Sequence, residues 1–173
     1  AGEVVLLPNE RDGVPVAEAA AAEARAEGTR VAVIPTRAQV QGIAATAVHE
    51  PARAFDADVV AMTTAAGHTR HGAVTVAARK AVTMAGVCRP GDILGIVEGD
   101  FVVIGTDLPA VAVDVVERML SAGGEVVTLV TGADADATLA DAVVAALRRS
   151  HPEVDTVVYD GGQPRYPLLM GVE

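Results

Sequence analysis

Aromatic residues are nearly missing from this chain. Phenylalanine and tyrosine occur twice each and tryptophan not at all, so aromatics make up 2% of the 173 residues, although 51% of the chain is hydrophobic. The core must therefore be built from alanine, valine, leucine and isoleucine. A chain of this length can bury such a core, as one domain or as two small packed subdomains, and its hydrophobicity argues against disorder.

Cysteine and long apolar runs are equally scarce. Cys88 is the single cysteine, which excludes an intrachain disulfide and argues against a cysteine-based zinc site. We therefore expect Cys88 to have a structural role. No apolar run reaches the ~18 residues of a membrane helix, and no signal peptide opens the chain. We therefore expect no membrane span and a cytoplasmic location. Because the first residue is Ala1 and a predicted strand already begins at Glu3, we expect a fragment of a longer bacterial protein, or a chain without its initiator methionine.

Positive charge is in the minority. Thirteen basic residues face 23 acidic ones, which gives a net charge of −10 and argues against binding to nucleic acid. One stretch departs from this balance, because residues 68–80 contain Arg70, Arg79 and Lys80 and no acid. This stretch could face an acidic partner or an anionic ligand, and it is equally consistent with scattered surface charges.

The first block of the chain has the pattern strand, helix, strand. Glu3–Pro8 and Arg30–Pro35 are short runs rich in branched apolar residues. The segment between them is rich in helix formers, with Pro15 near its start and Gly28 at its end. This pattern predicts a βαβ unit with two parallel strands and a right-handed crossover.

The middle of the chain changes character. Two helices are expected on either side of Pro51, the second beginning at Asp56 or Asp58. Residues 72–107 then carry short runs of valine, isoleucine and threonine split by glycine, proline and aspartate. We interpret this section as a small antiparallel sheet, in which Glu98–Asp100 joins two strands as a hairpin.

The last block repeats the opening theme. A second βαβ unit is predicted across Glu125–Asp160, and the apolar tail at residues 167–173 could add an edge strand. The predicted fold is therefore α/β, with two βαβ-type units, a mostly parallel sheet and a small antiparallel section. Its segments would be 1–71, 72–107 and 108–173, forming one compact module or two packed subdomains.

Polar residues follow the first two predicted strands. Asn9 follows the first strand, and Thr36 follows the second, with Gln41 and Gly42 close behind. Ligands of open parallel sheets bind outside the carboxyl ends of the strands, so these four residues are candidates for a binding crevice. Turn formation explains the same residue types equally well.

Patterns for catalysis and metal binding are weak. His68 and His71 have the spacing of a helical ligand pair, but flanking glycines and the lack of a third ligand favour a solvated or capping pair. The chain has no G-x-S-x-G motif. The strand-to-helix loop within Val130–Asp141 lacks a phosphate-binding glycine pattern and carries acids that would repel phosphate. We predict no catalytic residue and no metal site in this chain.

Five phrases in order resemble a known family. They are VVLLPNERD, VAVIPTRAQVQGIAA, HGAVTVAAR, RPGDILGIVEGDFVV and YDGGQPRYPLLMGVE, and together they cover essentially the whole chain. They resemble the C-terminal region of the dihydroxyacetone-kinase-like large subunit of fatty acid kinase. His71 departs from the family, which usually has threonine at that place.

The resemblance implies a division of labour. An N-terminal kinase domain of the same polypeptide would bind ATP and magnesium through clustered aspartates, and a middle domain would follow. The C-terminal region would dock a DegV-type acyl-binding protein, whose fatty acid is phosphorylated for phospholipid metabolism. This chain would then need no cofactor of its own and would not be catalytic alone, whereas its parent would be an ATP-dependent kinase.

The segment Tyr159–Pro167 supplies further candidate contacts. It is too rich in proline for a phosphate loop and is expected to form a stiff turn. We predict that this turn and Arg79 contribute to partner or ligand binding, through Gly161, Gly162, Gln163, Arg165 and Tyr166. Two other hypotheses remain: a small-molecule or anion site that uses Asn9, Thr36 and the two glycines, and self-association of the parent protein as a homo-oligomer.

Overall fold

The computed structural model describes residues 2–173 and divides into two compact units. The first unit ends at Thr69, and the second spans Arg70–Glu173. The second unit thus contains both the predicted middle section and the last block. The fold is mixed α/β, as predicted. Among the described residues, parallel strand pairs occur in the two βαβ units, and the other strand pairs are antiparallel.

The first unit is built on a βαβ motif. It contains β1 (Glu3–Leu6), α1 (Gly13–Ala26), β2 (Arg30–Val33), α2 (Gln39–Ala47) and α3 (Phe55–His68). The two strands pair in parallel, with Glu3 opposite Arg30 and Leu6 opposite Val33, which confirms the predicted βαβ unit. Gly28 follows α1 with φ +90°, the left-handed conformation that commonly ends a helix.

Small side chains form the core of the first unit. Ile34, Ala45, Met62 and Ala66 are buried together. Alanines on α2 and α3 allow the two helices to approach closely, which explains how a core without aromatics can be filled. The third helix begins at Phe55, one residue before the first predicted start, and Asp56 and Asp58 lie in its first turn.

The second unit contains eight strands and two helices among the described residues. The strands are β3 (Arg70–Val76), β4 (Ala81–Thr83), β5 (Gly86–Cys88), β6 (Ile93–Val97), β7 (Asp100–Gly105), β8 (Val126–Gly132), β9 (Asp155–Gln163) and β10 (Leu168–Val172), and the helices are α4 (Leu108–Leu120) and α5 (Leu139–Ser150). Six strands form one sheet in the order β7-β6-β3-β10-β8-β9, and β4 pairs with β5 separately. The β8–α5–β9 segment is the predicted second βαβ unit, with parallel strands.

The C-terminal strand lies in the centre of the six-stranded sheet. The expectation of an edge strand at residues 167–173 was wrong, because β10 pairs antiparallel with both β3 and β8. All five residues of Leu168–Val172 are buried. A run that is apolar at every position fits a strand covered on both faces, whereas an edge strand would show polar positions.

The β6–β7 hairpin confirms another prediction. Glu98 and Gly99 connect the strands with φ of 52° and 94°. Two successive residues with positive φ are typical of the two-residue turn that matches strand twist. The same sheet supports α4, whose Val115 lies where a side chain on Gly72 or Gly95 would have to go.

A hydrogen-bonded pair of His151 and Glu117 joins the C-terminal ends of α4 and α5. His151 Nε2 lies 2.6 Å from Glu117 Oε2, and Ser150 Oγ donates to the other carboxylate oxygen at 2.7 Å. The hydrogen bond with Glu117 raises the pKa of His151, and the same bond lowers the pKa of Glu117. The charged pair therefore stabilises the folded state above the ordinary pKa of glutamate and below that of histidine.

The contribution of this pair should depend on pH. It is complete between about pH 4.5 and 6.5 and is lost as the pH rises through the elevated pKa of His151. We expect the difference in melting temperature between the wild type and His151→Gln to be largest near pH 6 and to shrink at higher pH. Thermal unfolding from about pH 5.5 to 8.5 measures this difference. A difference that is constant over this range would contradict an ionic role.

Candidate functional site

Two of the predicted strand-end residues meet directly. Asn9 follows β1 with φ 60°, and its backbone N donates to Thr36 Oγ1 at 2.9 Å. Thr36 follows β2 and is only 1% exposed. The parallel pairing of β1 and β2 brings both residues to the same end of the sheet, as their positions in sequence suggested.

The start of α2 completes this group. Gln41 is held at both ends of its amide, since Oε1 accepts from Arg37 N at 2.8 Å and Nε2 donates to Thr69 O at 3.2 Å. Gly42 leaves space for the Asn9 amide, because a Cβ at Gly42 would lie 2.7 Å from Asn9 Cγ. We call Asn9, Thr36, Gln41 and Gly42 the strand-end cluster.

The strand-end cluster contains one unsatisfied polar atom. Asn9 Oδ1 is buried and has no hydrogen-bond partner among the described residues. A buried carbonyl oxygen without a donor is uncommon in folded proteins and costs free energy. The cluster is therefore closely packed, and Asn9 Oδ1 is the atom in it that could still accept a hydrogen bond.

Removing the hydroxyl of Thr36 tests how firmly this cluster is held. Thr36→Val would leave the Asn9 N–H without its acceptor, and we expect the free energy of unfolding to fall by about 2 kcal/mol. Urea unfolding followed by circular dichroism measures the change. Thr63→Val is the matched control, because Thr63 is exposed and its hydroxyl bonds only the preceding helical turn at Val59 O. Equal losses in both variants would contradict a special role for Thr36.

The second predicted group is the turn after β9. The side chain of Gln163 bridges this turn, because its Nε2 donates to Val130 O and to Tyr166 O, each at 3.1 Å. Arg165 has φ 72°, so the chain reverses there through a left-handed conformation, whereas Gly162, with φ 62°, lies within β9 at an irregularity of its pairing with β8. The turn is present but shorter than the predicted segment Tyr159–Pro167, because residues 159–163 belong to β9. Gln163 ends that strand, and the Arg165 and Tyr166 side chains in the turn are exposed.

A cavity adjoins this turn. It has a volume of about 600 Å³ and is lined mainly by apolar groups, among them Val76, Leu108, Tyr166 and Pro167. Thr75 Oγ1 donates to Arg165 O at 3.0 Å, which ties the turn to β3. The turn therefore forms one wall of a mostly apolar depression within the second unit.

The remaining predicted residues lie apart from each other. Arg79 is exposed between β3 and β4. His68 is the last residue of α3, whereas His71 belongs to β3 and its Nε2 lies 3.5 Å from Glu98 Oε2. The two histidines therefore do not share a helix face. Within residues 2–173, no group of three or more potential metal ligands comes together.

Sequence reasoning missed one polar cluster in the first unit. Asp58 is 4% exposed and accepts from Glu50 N at 3.0 Å and from Arg53 Nη1 at 2.9 Å, and His49 Nδ1 lies 2.5 Å from its second oxygen. These bonds, with that of His49 first, lower the pKa of Asp58. The cluster lines a cavity of about 420 Å³ with Val5, Phe55 and Met62 behind it. The available signal was an acid in a helical first turn just after a loop with a histidine and an arginine.

Comparisons with known proteins place this geometry in context. A family model for the FakA-like C-terminal domain of fatty acid kinase matches residues 1–173. An uncharacterized protein of Staphylococcus haemolyticus is 28% identical over 98% of this chain, and one of Staphylococcus aureus is 25% identical over the same share. The chain spans only 30% of the length of each relative.

Two solved structures of proteins loaded with fatty acids have a similar fold. A DegV family protein of Eubacterium eligens, loaded with heptadecanoic acid, is similar with a TM-score of 0.69 and 14% identity, over 100% of this chain and 73% of its own. The fatty acid kinase B3 protein of Streptococcus pneumoniae, loaded with linoleic acid, has a TM-score of 0.66 and 13% identity, over 100% and 72%. At this level of identity, the likeness concerns the fold. Across the described residues 2–173, no helix has the length and apolar character to cross a membrane.

Proposed function

The chain belongs to the family of FakA-like C-terminal domains of fatty acid kinase, and on this premise we propose that it is a docking module. It holds a DegV-type acyl-binding protein so that a separate, dihydroxyacetone-kinase-like domain of the same polypeptide can phosphorylate the bound fatty acid. The observation that carries this proposal is the family match over the whole chain. The length of the curated relatives supports it, because most of each relative lies outside the matched region and leaves room for kinase and middle domains.

The proposal assigns ATP and magnesium to the kinase domain, and the loop after β8 does not fit a nucleotide. Asp136 Oδ1 accepts from Thr138 N at 2.8 Å and from Thr138 Oγ1 at 2.6 Å, and these bonds lower the pKa of Asp136. The cavity beside this loop is also lined by Asp141 and Asp160. A cavity lined by three carboxylates and by no lysine or arginine would repel a triphosphate.

The acids and imidazoles of this chain serve the fold rather than chemistry in our proposal. Asp58 uses both carboxylate oxygens on His49, Arg53 and a backbone N–H. Glu117 is likewise occupied by His151 and Ser150. A docking role requires no reactive group and draws on rigid loops carried by a firm scaffold. We place this function in the cytoplasm, where ATP is available.

Two measurements test the docking module. Titration calorimetry of the chain with the DegV-type acyl-binding proteins of the same genome should give a saturable complex. In the parent polypeptide, deletion of residues 1–173 should abolish formation of acyl phosphate while nucleotide binding persists. If none of the acyl-binding proteins gives a binding isotherm, the docking module is refuted.

One observation favours a second candidate, a small-molecule site at the strand-end cluster. Because the unsatisfied Asn9 Oδ1 is an acceptor, it fits a ligand that donates a hydrogen bond, and a bare anion would not satisfy it. Gly42→Ala should displace the Asn9 side chain, because the new Cβ would lie 2.7 Å from Asn9 Cγ, and circular dichroism verifies that the variant is folded. A small ligand whose affinity falls at least tenfold in Gly42→Ala, with Gly67→Ala unaffected, would establish this site. A Cβ at Gly67 meets nothing within 4 Å, which makes it the control.

A further inference from the structure

The β4–β5 hairpin exposes an unusual amount of apolar surface. Val82 is 84% exposed, Met84 at the tip is 88% exposed, and Val87 is 55% exposed. Val82 and Val87 lie directly opposite each other in the antiparallel register. Three large aliphatic side chains thus form one continuous projecting surface, of a kind that marks interaction sites.

The other side of the same hairpin is anchored. Ala81 pairs with Cys88, and because side chains alternate along a strand, both point away from the exposed valines. Cys88 is buried in a small cluster that includes Ala77, Leu94, Phe101 and Ile104. Thr83 Oγ1 donates to Gly86 O at 3.0 Å and fixes the tip. The buried side of the hairpin therefore fixes its position, while the opposite side exposes its apolar side chains to solvent.

Positive charges flank this surface. Arg79 and Lys80 precede the hairpin and Arg89 follows it, and all three are exposed. Residues 68–91 carry four basic residues and no acid, in a chain whose net charge is −10. Asp92 accepts from the backbone N of Arg89 at 2.7 Å, and no ion pair within residues 2–173 occupies the three side chains.

From these observations we infer that residues 79–89, the docking hairpin, form the surface that binds the acyl-binding partner. The inference rests on the proposed function and names the surface through which it works. The partner face is an apolar depression bordered by carboxylates, because the hairpin offers an aliphatic centre with cations on both sides. Methionine and arginine are enriched in protein interfaces, and charge complementarity sets orientation and association rate.

A protein partner fits this hairpin better than a lipid surface. The hairpin has no tyrosine or tryptophan, the residues that anchor proteins in the headgroup region. The whole chain is strongly acidic, so an anionic bilayer would repel most of its surface. A partner protein can bind the positively charged hairpin without contacting the acidic remainder of the surface.

Two variants of the docking hairpin test the inference. The apolar variant is Val82→Thr/Met84→Gln/Val87→Thr, and the charge variant is Arg79→Glu/Lys80→Glu. Calorimetry uses a DegV-type protein of the same genome, loaded with its fatty acid, at low and high salt. We expect each variant to raise Kd at least about tenfold, and the charge variant to reduce the salt dependence.

Matched controls change equally exposed groups elsewhere. Val16→Gln/Val60→Gln replaces helical valines that are 69% and 65% exposed, and Arg148→Glu/Arg149→Glu reverses two charges at the end of α5. Both controls should keep Kd within about twofold of the wild type. Far-ultraviolet circular dichroism and melting curves verify folding, and if the triple variant misfolds, the single Met84→Gln at the tip replaces it.

The outcomes separate the two proposals. If the wild type binds and both hairpin variants bind equally well, the docking hairpin is wrong and the docking module stands. If the wild type does not bind, the docking module fails and the hairpin assignment fails with it. A second experiment measures sedimentation of the chain with vesicles of phosphatidylglycerol. If the hairpin variants lose vesicle binding but keep their affinity for the acyl-binding protein, the hairpin binds a membrane and the inference is wrong.

Discussion

Replacing Met170 with alanine is expected to lower the free energy of unfolding of the second unit by about 4 kcal/mol. Met170 is fully buried in β10, between β3 and β8, and lies in the main core of this unit. Truncation removes apolar contacts and leaves a cavity that a strand paired on both sides cannot collapse to fill. Urea unfolding followed by circular dichroism measures the loss.

An edge position provides the comparison for Met170. Val158 is 45% exposed on β9, the last strand in the sheet order, so Val158→Ala should cost less than about 1 kcal/mol. If the two variants lose similar amounts, β10 does not form the centre of the sheet in solution.

Replacing Gly132 with alanine is expected to cost about 3 kcal/mol. A Cβ at this position would lie 2.9 Å from the backbone oxygen of Gln163 and closer still to that of Tyr166. Backbone atoms cannot rotate away as a side chain can. The hydrogen bonds from Gly132 N to Pro167 O and from Ala133 N to Gln163 O would be strained as well. Urea unfolding measures the cost, and the turn after β9 should become more susceptible to proteolysis.

The Gly162→Ala variant distinguishes the effect of steric conflict from the effect of backbone conformation. It has φ 62°, but a Cβ there would meet nothing within 4 Å, so Gly162→Ala should cost only about 1 kcal/mol. A larger loss at Gly162 than at Gly132 would mean that backbone strain, rather than the close approach of backbone atoms, limits substitution at these two glycines.

Local patterns predicted the parts of the fold that depend on neighbours in sequence. The helix between Pro15 and Gly28, the two parallel βαβ pairs and the turn at Glu98 and Gly99 all follow from short-range rules. The contact between Asn9 and Thr36 also followed, because parallel strands in a βαβ unit bring their carboxyl ends together. These features need no knowledge of distant packing.

Features that depend on distant packing escaped prediction. The position of β10 between β3 and β8 depends on strands far away in sequence, although its continuous apolar run was a usable sign of a central strand. From sequence, Asp58 was predicted only as a possible start of the third helix, and the path of the loop after α2 is what brings it to His49 and Arg53. The exposed valines of the β4–β5 hairpin were equally hidden, because their residue type predicts burial.

The central position of β10 has a consequence for biosynthesis. The three strands β3, β6 and β7 can pair with one another once they leave the ribosome, and so can β8 and β9. The two groups remain separate half-sheets until residues 168–172 emerge and β10 joins them. Until then, the edges of β3 and β8 present unpaired backbone groups and apolar side chains, which favour aggregation. A released chain that ends before Leu168 should therefore bind chaperones strongly, whereas a chain that includes residues 168–172 should not.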